Sequence, residues 1–221
     1  MTMAQAAEVL DRDRAGPLSR FPQKATRLVR AKARSHRRTG SLNCEYSDVV
    51  IRRHREDDYE SIRHIYAEAF RRDDDPARNP PEVGLFDALS EDDDVVGELS
   101  FLALGDAEPV GHVTASAASV GTHAVVAVGP IGVLPEHQGN GLGSALMHSM
   151  LGAAEALNVP LVILLGSPRY YGRFGFRPAV QVGVIPPEPR WGEAFQARPL
   201  SAYTQSVTGR FEYAPAFSIV M

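Results

Sequence analysis

An apolar run from Val125 to Val133 passes through a proline turn into glycines at 139, 141 and 143, which open directly onto the helical pattern Leu142, Leu146, Met150, Leu151, Ala154. That order fixes a strand–loop–helix unit, with the loop at the helix start. The first N–H groups of a helix have no intrahelical acceptor, and the helix dipole adds partial positive charge there. The turn is therefore a ready-made anion site. Gly141 and Gly143 carry no Cβ and let a ligand approach the backbone closely. A phosphate-bearing ligand is expected.

Spacing narrows the kind of phosphate ligand. A P-loop needs a lysine after its last glycine, and no lysine follows Lys32. A dinucleotide fingerprint needs a third glycine where Ser144 stands. What fits is Gln138-x-x-Gly141-x-Gly143. One helix and one strand later, the apolar run Leu161 to Leu165 leads into Gly-Ser-Pro-Arg-Tyr-Tyr-Gly-Arg-Phe-Gly-Phe at 166–176, which contains Tyr171-x-x-x-Gly175-Phe176. The two motifs in this order resemble those of the GNAT superfamily of N-acetyltransferases, and the fuller second run is similar to the YhbS-like subgroup. The resemblance covers about residues 48 to 200.

The resemblance implies an α/β fold of GNAT type: a mixed, mostly antiparallel central sheet with splayed strands, flanked by helices. It implies acetyl-CoA as co-substrate, with no metal, held by Ile131, Gly132 and Val133 on the strand. The loop would add Gln138, Gly139, Asn140, Gly141, Leu142, Gly143 and Ser144. In such proteins a bulge in the strand before the phosphate loop frees backbone N–H donors for the oxyanion of acyl transfer. Here Gly132 is expected to carry it, since glycine inside a strand often marks a bulge.

Acetyl transfer to a primary amine by direct attack on the thioester leaves a thiolate, and Tyr171 is the expected general acid. Tyr170 competes, but only Tyr171 has Gly175-Phe176 at the matching offset. No general base is assigned. Residues 111–133 contain no acid, and His112 and His123 are the nearby titratable groups. A second reading is a non-catalytic acyl-CoA-binding or sensing module on the same fold, which would need no proton donor.

Along the chain, Val49 to Ile51 reads as a strand and Asp57 to Phe70 as a helix with Ile62, Ile65, Tyr66, Ala69 and Phe70 on one face. Pro81 to Leu89 is a short helix with proline near its start. Leu99 to Leu104 and Val110 to Ser119 are strands about a Gly105-Asp106 turn. Gln138 to Leu157 is the long helix. Ala194 to Arg198 and Phe211 to Phe217 are expected to add strands. Acceptor specificity is expected in the loops, at Arg71 to Pro81 with Asp73, Asp74 and Asp75, and at Ile185 to Phe195 with Trp191.

Charge divides the chain. Residues 1–40 hold ten Lys/Arg against Glu8, Asp11 and Asp13, a balance of +7. The remainder holds thirteen Arg against twenty-four acids, a balance of −11 that brings the total to −4. We read residues 1–45 as a basic arm lacking the apolar residues for a core, and 46–221 as the catalytic domain. The basic residues of 12–38 are the one segment suited to nucleic acid, and the acidic remainder argues against that partner. The expected partner is a small-molecule or peptide amine, and a homodimer is allowed. The lone Cys44 cannot form an internal disulfide, and no run approaches the ~18 apolar residues of a membrane span. A reducing, cytoplasmic setting is expected.

Overall fold

The computed structural model describes residues 48–72, 75 and 79–219. The expectations for the basic arm and Cys44, and most of those for the acidic loop, lie outside them. In chain order the elements are β1 (Val49–Arg53), α1 (Tyr59–Ala69), α2 (Pro81–Glu91), β2 (Phe101–Gly105), β3 (Glu108–Val120), β4 (His123–Val133), α3 (Leu142–Ala156), β5 (Leu161–Leu165), α4 (Pro168–Tyr171), β6 (Arg177–Pro178), β7 (Val184–Ile185), β8 (Phe195–Pro199) and β9 (Gly209–Tyr213). The main sheet runs β1-β2-β3-β4-β5-β8-β6, and β9 pairs with the far end of β3. Its long pairs are antiparallel, and β4–β5 is parallel because α3 must carry the chain back between them. This is the mixed, mostly antiparallel sheet that the sequence led us to expect.

Helix α3 covers one face. Leu142, Leu146, Met147, Met150, Leu151 and Ala154 are buried, a stripe at helical spacing. They pack on Val126, Val128, Val133, Val162 and Leu164. Helices α1 and α2 cover the opposite face. Ile62, Ile65 and Tyr66 pack with Val83, Phe86 and Leu102, while Leu85 and Leu89 lie on Ala127 and Ile163. Each buried aliphatic side chain contributes about 1.5–3 kcal/mol.

Several boundaries differ from the sequence reading. The long helix starts at Leu142 rather than Gln138, because Gly139 and Gly141 take φ of 79° and 83°, outside the helical region. The stretch around Leu99 is a short 3₁₀ turn before β2. After β9 the chain turns into a 3₁₀ helix, Pro215–Ile219, instead of extending to Phe217 as a strand. Trp191, expected in a specificity loop, sits half-buried in a 3₁₀ segment and packs on Phe195 and Tyr213.

The bulge lies elsewhere than predicted. Val113 pairs with Ile131 and Ala115 with Val128, so two steps on β3 span three on β4, and Gly129 and Pro130 have no register partner. Proline has no N–H for the ladder, and inside a sheet it belongs at an edge or a bulge. Gly132 instead pairs regularly with His112. Its lack of a side chain serves packing: a Cβ there would stand 3.0 Å from the Tyr66 ring and 3.1 Å from Ala69 Cβ.

Candidate active site

The bulge and the parallel neighbour together open the sheet. β4 and β5 pair only at Val126–Val162 and Ala127–Ile163, and the C-terminal half of β4 has no partner on that side. The Leu134 N–H donates to the Val110 carbonyl at 2.9 Å. Antiparallel partners alternate between bonded and non-bonded pairs, so Gly132 also bonds toward β3 while Ile131 and Val133 turn away. The N–H groups of Ile131 and Val133 therefore face the open gap. The Val133 carbonyl points the same way and accepts from Gln138 Nε2 at 2.9 Å.

The gap continues into the start of α3. Gly141 is the N-cap, with no side-chain cap and no acid in the first turn, whereas α1 and α2 carry Glu60 and Glu82 there. The first intrahelical bond runs from the Ala145 N–H to the Gly141 carbonyl. The N–H groups of Leu142, Gly143 and Ser144 thus lack intrahelical acceptors and lie at the positive end of the dipole.

On the other side stands α4. Pro168 opens this single turn, which carries Tyr170 and Tyr171 at 4.9 Å between ring centroids, edge to face. The Tyr171 ring lies so close on Gly166 that any Cβ there would collide with it. Gly166 is itself held from both sides: its N–H donates to the Ala194 carbonyl and its carbonyl accepts from Gln196 Nε2. Burial, with Tyr170 adjacent, pushes the Tyr171 phenol up to about 12. The Tyr170 hydroxyl points elsewhere, to within 3.0 Å of where a Gly143 Cβ would sit, over the first turn of α3. The Arg173 guanidinium stacks on the Tyr170 ring at 4.7 Å.

These parts enclose a cleft of about 450 Å³. Of the residues read from sequence, it is lined by Ile131, Val133, Gln138, Gly139, Gly141, Leu142, Gly143, Ser144 and Tyr171. Gly132 turns its Cα to α1, and Asn140 is exposed outside the lining. Tyr170, weighed only as a competitor, lines the cleft too. So do His137 and Arg173, which the sequence reading missed. Arg173 had a signal, being the one cation between Tyr171 and Phe176. His137 lies beside the glycine loop and had none.

The two histidines weighed as bases are not in the cleft. His112 is fully buried on the α1 face, and both ring nitrogens are engaged, by Tyr66 and His54. Burial, and then His54, holds it well below the ordinary histidine value, so it is neutral. His123 starts β4, eight residues and roughly 25 Å from Ile131 along the strand. Among the described residues, no group of three or more His, Cys, Asp or Glu side chains could hold a metal ion.

Known proteins similar to this chain share its fold. Residues 50–179 match the model of the acetyltransferase (GNAT) domain family. The chain is 29% identical over 141 residues to an uncharacterized N-acetyltransferase of Escherichia coli (strain K12), YjhQ, spanning 60% of this chain and 78% of that protein. Among solved structures, Escherichia coli YhbS in complex with CoA superposes with a TM-score of 0.69 at 25% identity, covering 83% of this chain and 96% of the other. A GNAT acetyltransferase of Brucella melitensis in complex with acetyl-CoA gives 0.62 at 27% identity, covering 76% and 97%.

Proposed function

Because this chain belongs to the GNAT family of acetyltransferases, we propose that it transfers the acetyl group of acetyl-CoA to a primary amine by direct attack on the thioester. The observation that carries this reading is the open edge of β4. It presents two N–H groups to a cleft that ends at an uncapped helix start on one side and a half-buried tyrosine on the other. The relatives that hold CoA or acetyl-CoA support the same ligand here.

In this reading the N–H groups of residues 139–144 bind the pyrophosphate, with Arg173 supplying the nearby cation that the missing lysine would otherwise provide. The Ile131 and Val133 N–H groups bind the thioester arm and receive the developing oxyanion, to which fixed donors in a sheltered cleft contribute several kcal/mol. The Tyr171 hydroxyl donates to the leaving sulfur. With a phenol near 12 and a thiol near ~8.5, the hydroxyl cannot simply protonate a free thiolate. Its proton moves as the C–S bond breaks, and it is replaced by the one the amine releases. The amine enters neutral and loses that proton after attack, so the site needs no carboxylate base. The acceptor is a small molecule or a peptide. Residues 46–221 form the catalytic domain, with the arm 1–45 outside it.

A panel of amines with acetyl-CoA, followed by thiol release, tests the reading. Release with at least one amine is expected. Tight acetyl-CoA binding with no release across mono-, di- and polyamines, amino acids and peptide N-termini would instead make the chain an acyl-CoA-binding module.

A further inference from the structure

A buried polar network lies behind the bulge, on the face away from the cleft. The Tyr66 hydroxyl, fully buried, stands 2.9 Å from the Pro130 carbonyl, 2.7 Å from His112 Nδ1 and 2.8 Å from Thr114 Oγ1. His112 Nε2 continues the chain to His54 Nδ1 at 3.0 Å. The carbonyl can only accept, so Tyr66 donates its single proton to Pro130. The phenol oxygen then accepts from Thr114 and from His112 Nδ1–H, which leaves His112 Nε2 to accept from His54. Every side-chain polar atom of Tyr66, Thr114 and His112 is thereby used, as burial requires.

The geometry points to Tyr66 as a positioning residue for acyl transfer, holding the Pro130–Ile131 peptide so that the Ile131 N–H is aimed at the thioester. The peptide unit is planar, and its C=O and N–H point in opposite directions. The Tyr66 hydroxyl meets Pro130 beside His112 and Thr114 of β3, so anchoring the carbonyl on the β3 side turns the Ile131 N–H into the β4–β5 gap. The ladder orients Ile131 only from its C-terminal side, through Gly132, because Pro130 lies in the stretch that the bulge removes from register; Tyr66 fixes the peptide from the other side. A phenylalanine would fill the same space but leave the carbonyl without that donor and the peptide free to rotate.

The inference rests on the acetyl-transfer reading, so its test has one arm that needs turnover and one that does not. In Tyr66→Phe we expect acetyl-CoA affinity within about threefold of the parent and kcat lower by about tenfold. That is less than the loss of an oxyanion donor outright, because the N–H remains but is no longer aimed. Ile62→Val on the same helix should lower the melting temperature without lowering kcat, which separates positioning from mere destabilisation. In the second arm, amide exchange at Ile131 should slow on adding acetyl-CoA to the parent and slow several-fold less in Tyr66→Phe. Should Tyr66→Phe fail to fold, Thr114→Val removes one of the two donors that orient the phenol. It should lower kcat by about threefold and weaken the Ile131 protection in the same sense. A kcat within twofold of the parent, or identical Ile131 protection in parent and variant, overturns the positioning role. If no amine is acetylated, the catalytic reading fails and the Ile131 exchange alone decides whether Tyr66 sets the peptide.

Discussion

The Gln138 side chain donates from Nε2 to the Val133 carbonyl at 2.9 Å, tying the glycine loop to the end of the strand that leads into it. The tie satisfies a carbonyl that faces the gap and has no strand partner there. It also sets the distance between the two ends of the cleft, where phosphate and thioester are proposed to bind. The first residue of the loop motif is thus explained by an internal bond.

The two adjacent tyrosines should separate by kinetics. Tyr171→Phe keeps the ring on Gly166 and should lower kcat at least tenfold, with acetyl-CoA affinity nearly unchanged. Tyr170→Phe removes a hydroxyl that points at the first turn of α3, so it should raise KM for acetyl-CoA a few-fold and spare kcat. Steady-state kinetics on both variants checks the assignment, and reversed effects would exchange the roles.

Ser144→Glu puts a negative charge in the first turn of α3, where a carboxylate favours the helix dipole by about 0.3–1 kcal/mol. The variant should melt at or above the parent temperature. If that turn binds pyrophosphate, acetyl-CoA affinity should nevertheless fall by about tenfold or more, as calorimetry would show. Unchanged affinity would remove the phosphate site from this loop.

Tyr171 works in its protonated form, and its phenol is pushed up to about 12 by burial and by Tyr170. Activity that depends on it is present below that value and lost only as pH rises through it. With a competent amine, kcat should stay level or rise to about pH 10 as the amine deprotonates. An alkaline decline centred near pH 9, abolished in Tyr171→Phe, would contradict this.

Asp58 anchors the turn before α1. It pairs with both terminal nitrogens of Arg52 at 2.6 and 2.7 Å and accepts from the Arg55 N–H at 2.7 Å. Asp58→Ala should cost about 2 kcal/mol at neutral pH. The hydrogen bond from Arg52, outweighing burial, holds the carboxyl below its usual range. This stability is therefore present above about pH 4 and lost as pH falls through the lowered native value. The gap in urea stability between parent and variant should shrink in acid. A gap unchanged at pH 3 would show that the charge is not the source.

The sequence by itself determined the parts whose signals are local. Helix starts, apolar periodicity and glycine spacing are written in consecutive residues, so the β4–loop–α3 unit could be read directly, whereas Tyr171 was singled out by the resemblance of its motif. What it could not fix were relations across the sheet. The bulge was expected at Gly132 because glycine in a strand suggests one. Only the register with β3 put it at Gly129 and Pro130, and only the packing of Tyr66 and Ala69 explained Gly132. His112 and Tyr66 are 46 residues apart in the chain, and nothing local distinguishes this pair from two ordinary core residues. Their partnership exists only once α1 lies on β3. The direction in which a peptide N–H points is set by what holds the carbonyl of the same unit, and here that partner comes from another element.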